Sequence, residues 1–231
     1  MREYQKQSKT RQVKDFYLVY VQLATSIMSD LDVAAFVEGQ VKAIKEVLGE
    51  EKALIAVSGG VDSTVSAALT HRALGDNLLC VFIDDHFMRL GEPDMVKAAL
   101  SAPPLNLPVR VLKENDRFME ALEGLSDAEE KRKAFRETFY QTLSDVAWAE
   151  NYKHLIQGTI RADIEETTGG IKTQHNILEQ VGIDPVKKFG YKIVEPIASL
   201  YKYQVREVAR FLGIPSELSE RQPFPRSWTF G

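Results

Sequence analysis

The stretch KALIAVSGGVDSTVSAALTHRALGDNLLCVFID, residues 52–84, decides how the rest of the chain is read. Its opening is a short apolar run without polar alternation, the pattern of a strand buried on both faces of a parallel sheet. Gly59 and Gly60 interrupt that run with a turn that side chains would obstruct. The Ala-rich segment VDSTVSAALTHRALGD that follows reads as a helix, and LLCVFID as a second buried strand. Strand, glycine turn, helix, strand in that order is the repeating unit of an α/β fold.

Working outward, Val33, Phe36, Val37, Val41, Ile44 and Val47 recur at three- and four-residue steps, the period of an amphipathic helix, which Gly49 can end. Downstream the alternation continues. A helix is expected near 92–101, a strand at VRVLK, a long charged helix from about Asp127 to Asn151 and a strand at KHLIQGT. A long loop is expected from Glu165 to Gly190, then a last strand in YKIVEPIA and a last helix in KYQVREVARFLGIP. Phe135, Phe139, Tyr140 and Trp148 stand at helical spacing and are assigned to the core, with AEEKRKAFRE as a solvent-facing surface. The fold class is therefore α/β, a parallel sheet flanked by helices, with ligands in the crevice beyond the carboxyl ends of the strands.

Composition narrows the function. Of 231 residues, 44% are hydrophobic and 27% charged, which suits a folded domain with a full core rather than a disordered chain. Lys and Arg number 29 against 33 Asp and Glu, so no excess positive charge is present to neutralise a nucleic-acid backbone. Cys80 is the single cysteine, which excludes an internal disulfide and fits a reducing compartment. Apolar runs fall short of the roughly 18–20 residues that a spanning helix needs, and the polar start MREYQKQSKTRQVKD is unlike a secretory signal. A cytoplasmic protein with no membrane or nucleic-acid partner is expected.

Ser58, Gly59, Gly60, Val61, Asp62, Ser63 and Thr64 carry the chemistry. Backbone N–H groups of a glycine turn entering a helix can converge on one anion, with the hydroxyls of Ser58, Ser63 and Thr64 as further donors. Asp62 within such a cradle would repel phosphate unless a cation intervened, so its expected role is to hold Mg²⁺ against phosphate oxygens. A Walker A loop requires a lysine that is absent here, and G-x-G-x-x-G is absent too.

SGGVDST resembles the pyrophosphate-binding loop of the N-type ATP pyrophosphatases (the PP-loop superfamily, an adenine nucleotide alpha-hydrolase-like fold). Further blocks are similar in order and spacing to the ATP pyrophosphatase domain of GMP synthetase: HRALGDNLLCVFID followed by Arg89 and Glu92, QGTIRADIEET at 157–167, IKTQHN at 171–176, EPIASLYKYQVR at 195–206 and RQPFP at 221–225. The resemblance covers roughly residues 31–225. It implies a ligase that transfers AMP from ATP to XMP, releases pyrophosphate, and lets ammonia displace AMP to form GMP. It also implies that Ser58 to Thr64 hold pyrophosphate, Asp62 binds Mg²⁺, Ile83 contacts adenine and Gly158 lies beside it. Asp163 and Glu166 match the family's acidic pair, and Lys172 a lysine that a closing loop brings to the α-phosphate. Arg89, His175, Asn176 and Arg221 become substrate-binding candidates.

The pattern also departs from the family. Residues 1–27 are expected to be an extension, 28–225 the ATP pyrophosphatase domain and 226–231 an atypical tail in place of the family's dimerisation domain. Gln222 stands where the family has histidine, Arg161 where tyrosine is common and Thr168 where lysine is frequent. No amidotransferase domain is expected before the first strand, so ammonia is expected from solution or from a separate glutamine amidotransferase subunit; a homodimer is left open. The alternatives are a PP-loop ligase forming an amide or thio product on another acceptor, and a non-catalytic ATP-binding subunit.

Overall fold

The computed structural model describes residues 31–168 and 184–220, and the chain divides at Asp32–Val33, with all that is described from Val33 onward in one compact unit. Its centre is a five-stranded, wholly parallel sheet of order β3-β2-β1-β4-β5. The strands are β1 (Ala53–Ala56), β2 (Leu78–Asp84), β3 (Val109–Lys113), β4 (His154–Ile156) and β5 (Lys192–Val194). Around them run α1 (Val33–Leu48), α2 (Val61–Leu74), α3 (Glu92–Ser101), α4 (Asn115–Leu122), α5 (Ala128–Glu150), α6 (Arg161–Thr168), α7 (Pro185–Phe189), α8 (Lys202–Phe211) and α9 (Ser216–Ser219).

Strand residues alternate between two helix layers, as the two-residue period of a strand requires. Leu54, Leu79, Val81, Ile83 and Leu155 pack with Phe118 of α4, Phe135, Tyr140, Leu143 and Ala147 of α5, and Phe189 of α7. On the other face α2 packs on β1 and β2, and α1 and α8 pack on α2. Residues of β1 and β2 are buried whichever way they point, so these strands read as unbroken apolar runs. Cys80 is fully buried, and burial pushes its thiol up to about 12, which makes it an inert core residue.

Several expectations change. The segment 115–122, too short and too charged to stand out by period, is a helix whose Phe118 is buried in the core. Both ends of the expected Glu165–Gly190 loop are helical, α6 running to Thr168 and α7 starting behind the Asp184 cap; the middle of it lies outside the described residues. Trp148 is 73% exposed rather than core, because Phe135, Tyr140, Leu143 and Ala147 already fill the inward stripe of α5. Among the described residues no helix is long and apolar enough to cross a membrane.

Candidate active site

Connections from β1 to β2 and β3 run to one side, whereas β4 and β5 lie on the other, so the sheet has its switch point between β1 and β4. There, beyond the carboxyl ends of β1, β2 and β4, opens a cleft of about 630 Å³.

Its floor is the glycine turn. Gly59 adopts φ 70°, which an L side chain would strain. The Ser58 N–H donates to Ser63 Oγ at 3.2 Å, the Gly60 N–H to Ser58 Oγ at 3.2 Å, and Ser63 Oγ to the Gly60 carbonyl at 3.2 Å. Gly60 is the N-cap of α2 and offers no side chain, so the first N–H groups of that helix have no side-chain acceptor. A helix start left in this state at the bottom of a cleft is suited to an anion. Thr64 corrects the expectation of a third hydroxyl donor: it is fully buried, and its Oγ1 donates to the Gly60 carbonyl at 2.8 Å, bracing the turn from below.

The walls come from the ends of β2 and β4 and from α5. Gly158 follows β4, and a Cβ there would stand 2.9 Å from the Asp62 carbonyl carbon and the Ser63 nitrogen, so only glycine lets β4 close against the turn. Gln157 Nε2 donates to Tyr140 Oη at 3.0 Å, and Thr159 Oγ1 to Glu195 Oε1 at 2.6 Å, pinning this end of β4 to α5 and to the exit of β5. Ile83, Phe135, Phe139, Leu143 and Leu155 make one side of the cleft apolar. Spacing assigns Phe139 to the core; it packs edge-on against Tyr140 and also lines the cleft.

Ser58, Gly60, Asp62, Ser63, Ile83, Gly158, Asp163 and Glu166 all line this one cleft. Gly59, Val61 and Thr64 support it without lining it. Asp163 also accepts the Ile160 N–H at 2.9 Å, closing the start of α6 as the carboxylate of a capping box does. Arg89 is not among the lining residues; its N–H donates to Glu92 at 3.0 Å, and the Glu92 N–H returns to the Arg89 carbonyl, a tight turn that opens α3. Lys172, His175, Asn176 and Arg221 lie outside the described residues.

Charge in the cleft is lopsided. Asp62, Asp85, Asp163 and Glu166 line it, opposed among the described residues by Lys202. Lys202 Nζ sits 2.5 Å from Asp62 Oδ2, whereas Asp62 Oδ1 is buried without a partner. Neither Lys202 nor Asp85 stands out in the sequence, although Lys202 falls inside the EPIASLYKYQVR block. The β5–α8 connection brings Lys202 to the turn, a contact between residues 140 positions apart that no local pattern reveals.

The NAD synthase family model matches residues 32–229. The chain belongs to the NAD synthase family. Its relatives include a subunit of the glutamine-hydrolyzing GMP synthase of Sulfurisphaera tokodaii, 50% identical over 194 residues, covering 84% of this chain and 51% of that one. The protein of the same name from Methanopyrus kandleri is 48% identical over 194 residues, covering 84% of this chain and 60% of that one. This chain thus spans about half the length of the first of these relatives. Among solved structures of the NAD synthase fold, NMN synthetase from Francisella tularensis aligns with a TM-score of 0.65 at 18% identity, over 87% of this chain and 79% of that one. The NH3-dependent NAD synthetase from Campylobacter jejuni aligns at 0.60 and 19% identity, over 84% and 79%. These solved structures share the PP-loop fold, a parallel sheet between helix layers; the likeness in sequence is to the GMP synthase subunit, in keeping with the blocks that follow the glycine turn.

Proposed function

We propose that this chain is the ATP pyrophosphatase part of a GMP synthetase: it adenylates XMP with release of pyrophosphate, and ammonia then displaces AMP to give GMP. The observation that carries the proposal is the cleft itself, whose floor is a helix start without a side-chain acceptor, in a chain half identical to a GMP synthase subunit.

In this reading the turn from Ser58 to Ser63 grips the β- and γ-phosphoryl groups, and the apolar side beside Ile83 and Phe139 takes the adenine. The XMP oxygen attacks the α-phosphorus, the bond from that phosphorus to the β-bridging oxygen breaks, and the electron pair leaves with pyrophosphate. Donors fixed on the turn stabilise the charge that gathers on the leaving group, and the loss of one such donor costs about 2.7–4 kcal/mol of transition-state stabilisation. Ammonia then adds to the purine carbon, AMP departs with the oxygen, and a proton is released.

Four carboxylates around a polyphosphate demand a counter-charge, which fits Mg²⁺. The unpartnered Asp62 Oδ1 suits a divalent cation, and among the described residues no three metal-ligating side chains converge, so Asp62 would share the ion with phosphate oxygens. Bound there, Mg²⁺ neutralises charge on the phosphates. Asp163 and Glu166 line the cleft, where they can orient the acceptor or the metal, and Lys172 would add positive charge near the α-phosphate. Ammonia is supplied by a separate glutamine amidotransferase subunit, in keeping with relatives that are themselves named as one subunit of a glutamine-hydrolyzing enzyme.

Pyrophosphate release measured with ATP, Mg²⁺, ammonia and a panel of acceptors tests the proposal. Release that depends on XMP is expected. Release with a different acceptor would make the chain another amide- or thio-forming ligase, and ATP binding without turnover on any acceptor would leave a nucleotide-binding subunit.

A further inference from the structure

α6 carries two pairs of charged side chains on opposite sides. Asp163 and Glu166, three residues apart, line the cleft, whereas Arg161 and Glu165, four residues apart, do not. None of residues 161–166 is buried, so no apolar stripe seats this helix, and at eight residues it is too short to hold its shape alone. Turning it about its axis would carry Asp163 and Glu166 away from the cleft. Something other than core packing fixes its setting.

The outward pair and the start of α8 do so. Glu165 Oε1 accepts from Arg161 Nε at 2.9 Å and from the Tyr201 hydroxyl at 2.9 Å, two donors on one carboxylate oxygen. The Arg161 guanidinium lies over the Tyr201 ring at 5.2 Å, and Tyr203 stacks with that ring at 6.3 Å. The Arg161 N–H donates to the Leu200 carbonyl at 2.9 Å, which ties the first residue of α6 to the same segment. Tyr201 is itself fixed: its N–H donates to Gln204 Oε1 at 2.9 Å, and α8 is seated on the core by Val205, Val208 and Ala209. The bond from Arg161, and then that from Tyr201, hold the Glu165 carboxyl below its ordinary value, so the ionised form that both donors need is favoured. Exposed ion pairs of this kind add little to global stability, but they can set an angle.

We propose that Arg161, Glu165 and Tyr201 are positioning residues: together they clamp α6 to the start of α8 in the setting that presents Asp163 and Glu166 to the cleft. The inference rests on the function proposed above, in which those two carboxylates orient the acceptor or the metal. Neither Arg161 nor Glu165 lines the cleft, so their effect on the reaction passes through Asp163 and Glu166. The glycine turn, held by its own hydrogen bonds, does not depend on the clamp.

The test compares the full chain as wild type, Glu165→Ala and Glu165→Gln in melting temperature, calorimetric titration with pyrophosphate and Mg²⁺, XMP-dependent pyrophosphate release, and amide hydrogen exchange across α6. In Glu165→Ala the melting temperature is expected to stay within about 3 °C of wild type, because the ties are exposed. Pyrophosphate affinity and KM for ATP are expected to hold, while kcat falls on the order of a hundredfold, the effect of misplacing a reacting group by about 1 Å. Exchange of the α6 amides is expected to quicken on the order of tenfold as the helix loosens locally. Glu165→Gln keeps an acceptor oxygen for both donors and is expected to recover part of kcat. Unchanged kcat or unchanged exchange in Glu165→Ala overturns the inference. A matching fall in pyrophosphate affinity and melting temperature would make the clamp a brace for the whole fold and overturns it too. Wild type that releases no pyrophosphate with any acceptor removes the proposed function and this inference together, whereas an active wild type matched by Glu165→Ala removes this inference alone.

Discussion

Gly158 and Asp62 meet across the cleft, one with no side chain to spare and the other with a carboxylate oxygen left unpartnered. A methyl group at 158 would press on backbone rather than on a flexible side chain, so the turn itself must shift. Gly158→Ala is expected to lose about 1–3 kcal/mol of stability, in the range of overpacking, and to weaken pyrophosphate binding as well; urea denaturation and calorimetry check the two effects. Family resemblance puts Gly158 beside adenine, and the backbone of the phosphate turn lies against the same residue. Phe139 tells a similar story: helical spacing marks it as inward, but spacing alone does not distinguish the core from the wall of a cleft cut into that core. Phe139→Ala is expected to lower ATP affinity about tenfold, as removal of an aromatic surface under a base does, while leaving pyrophosphate affinity unchanged. Equal losses for both ligands would place the base elsewhere.

Elements differ in how much of them the chain reveals locally. β1, α2 and β2 are legible because their signals are strong and adjacent: an apolar run, a glycine turn, an Ala-rich helix and a second apolar run. α4 and α6 are not, since eight residues hold barely two turns and their burial depends on what they pack against. The far end of the sheet has its own tie. Glu51 precedes β1 and accepts at 2.5 Å from His154, the buried first residue of β4, and this bond holds the Glu51 carboxyl below its ordinary value of 4.5. A depressed carboxyl contributes stability that is present above its unfolded value and lost as pH falls through the folded one. Wild type is therefore expected to lose its advantage over Glu51→Gln as the pH is lowered from about 6 to about 3, the two urea midpoints converging at the acid end. A constant difference across that range would mean that the pair contributes by packing alone.

For the molecule as a whole, sheet order rather than any single motif assembles the site. The order β3-β2-β1-β4-β5 sets residues from 58–63, 83–88, 157–166 and 202 around one cleft, and chain position gives no hint of that convergence beyond the rule for α/β sheets. In the proposed function the two outer phosphoryl groups sit on the turn after β1 and the adenosine along the β2 and α5 side. The most direct measurement is competition calorimetry with ATP, pyrophosphate and AMP in the presence of Mg²⁺. Pyrophosphate is expected to bind one to one and to exclude ATP, while AMP binds alongside it in the adjoining half of the cleft. Failure of pyrophosphate to bind, or ATP binding undisturbed by saturating pyrophosphate, would contradict the account.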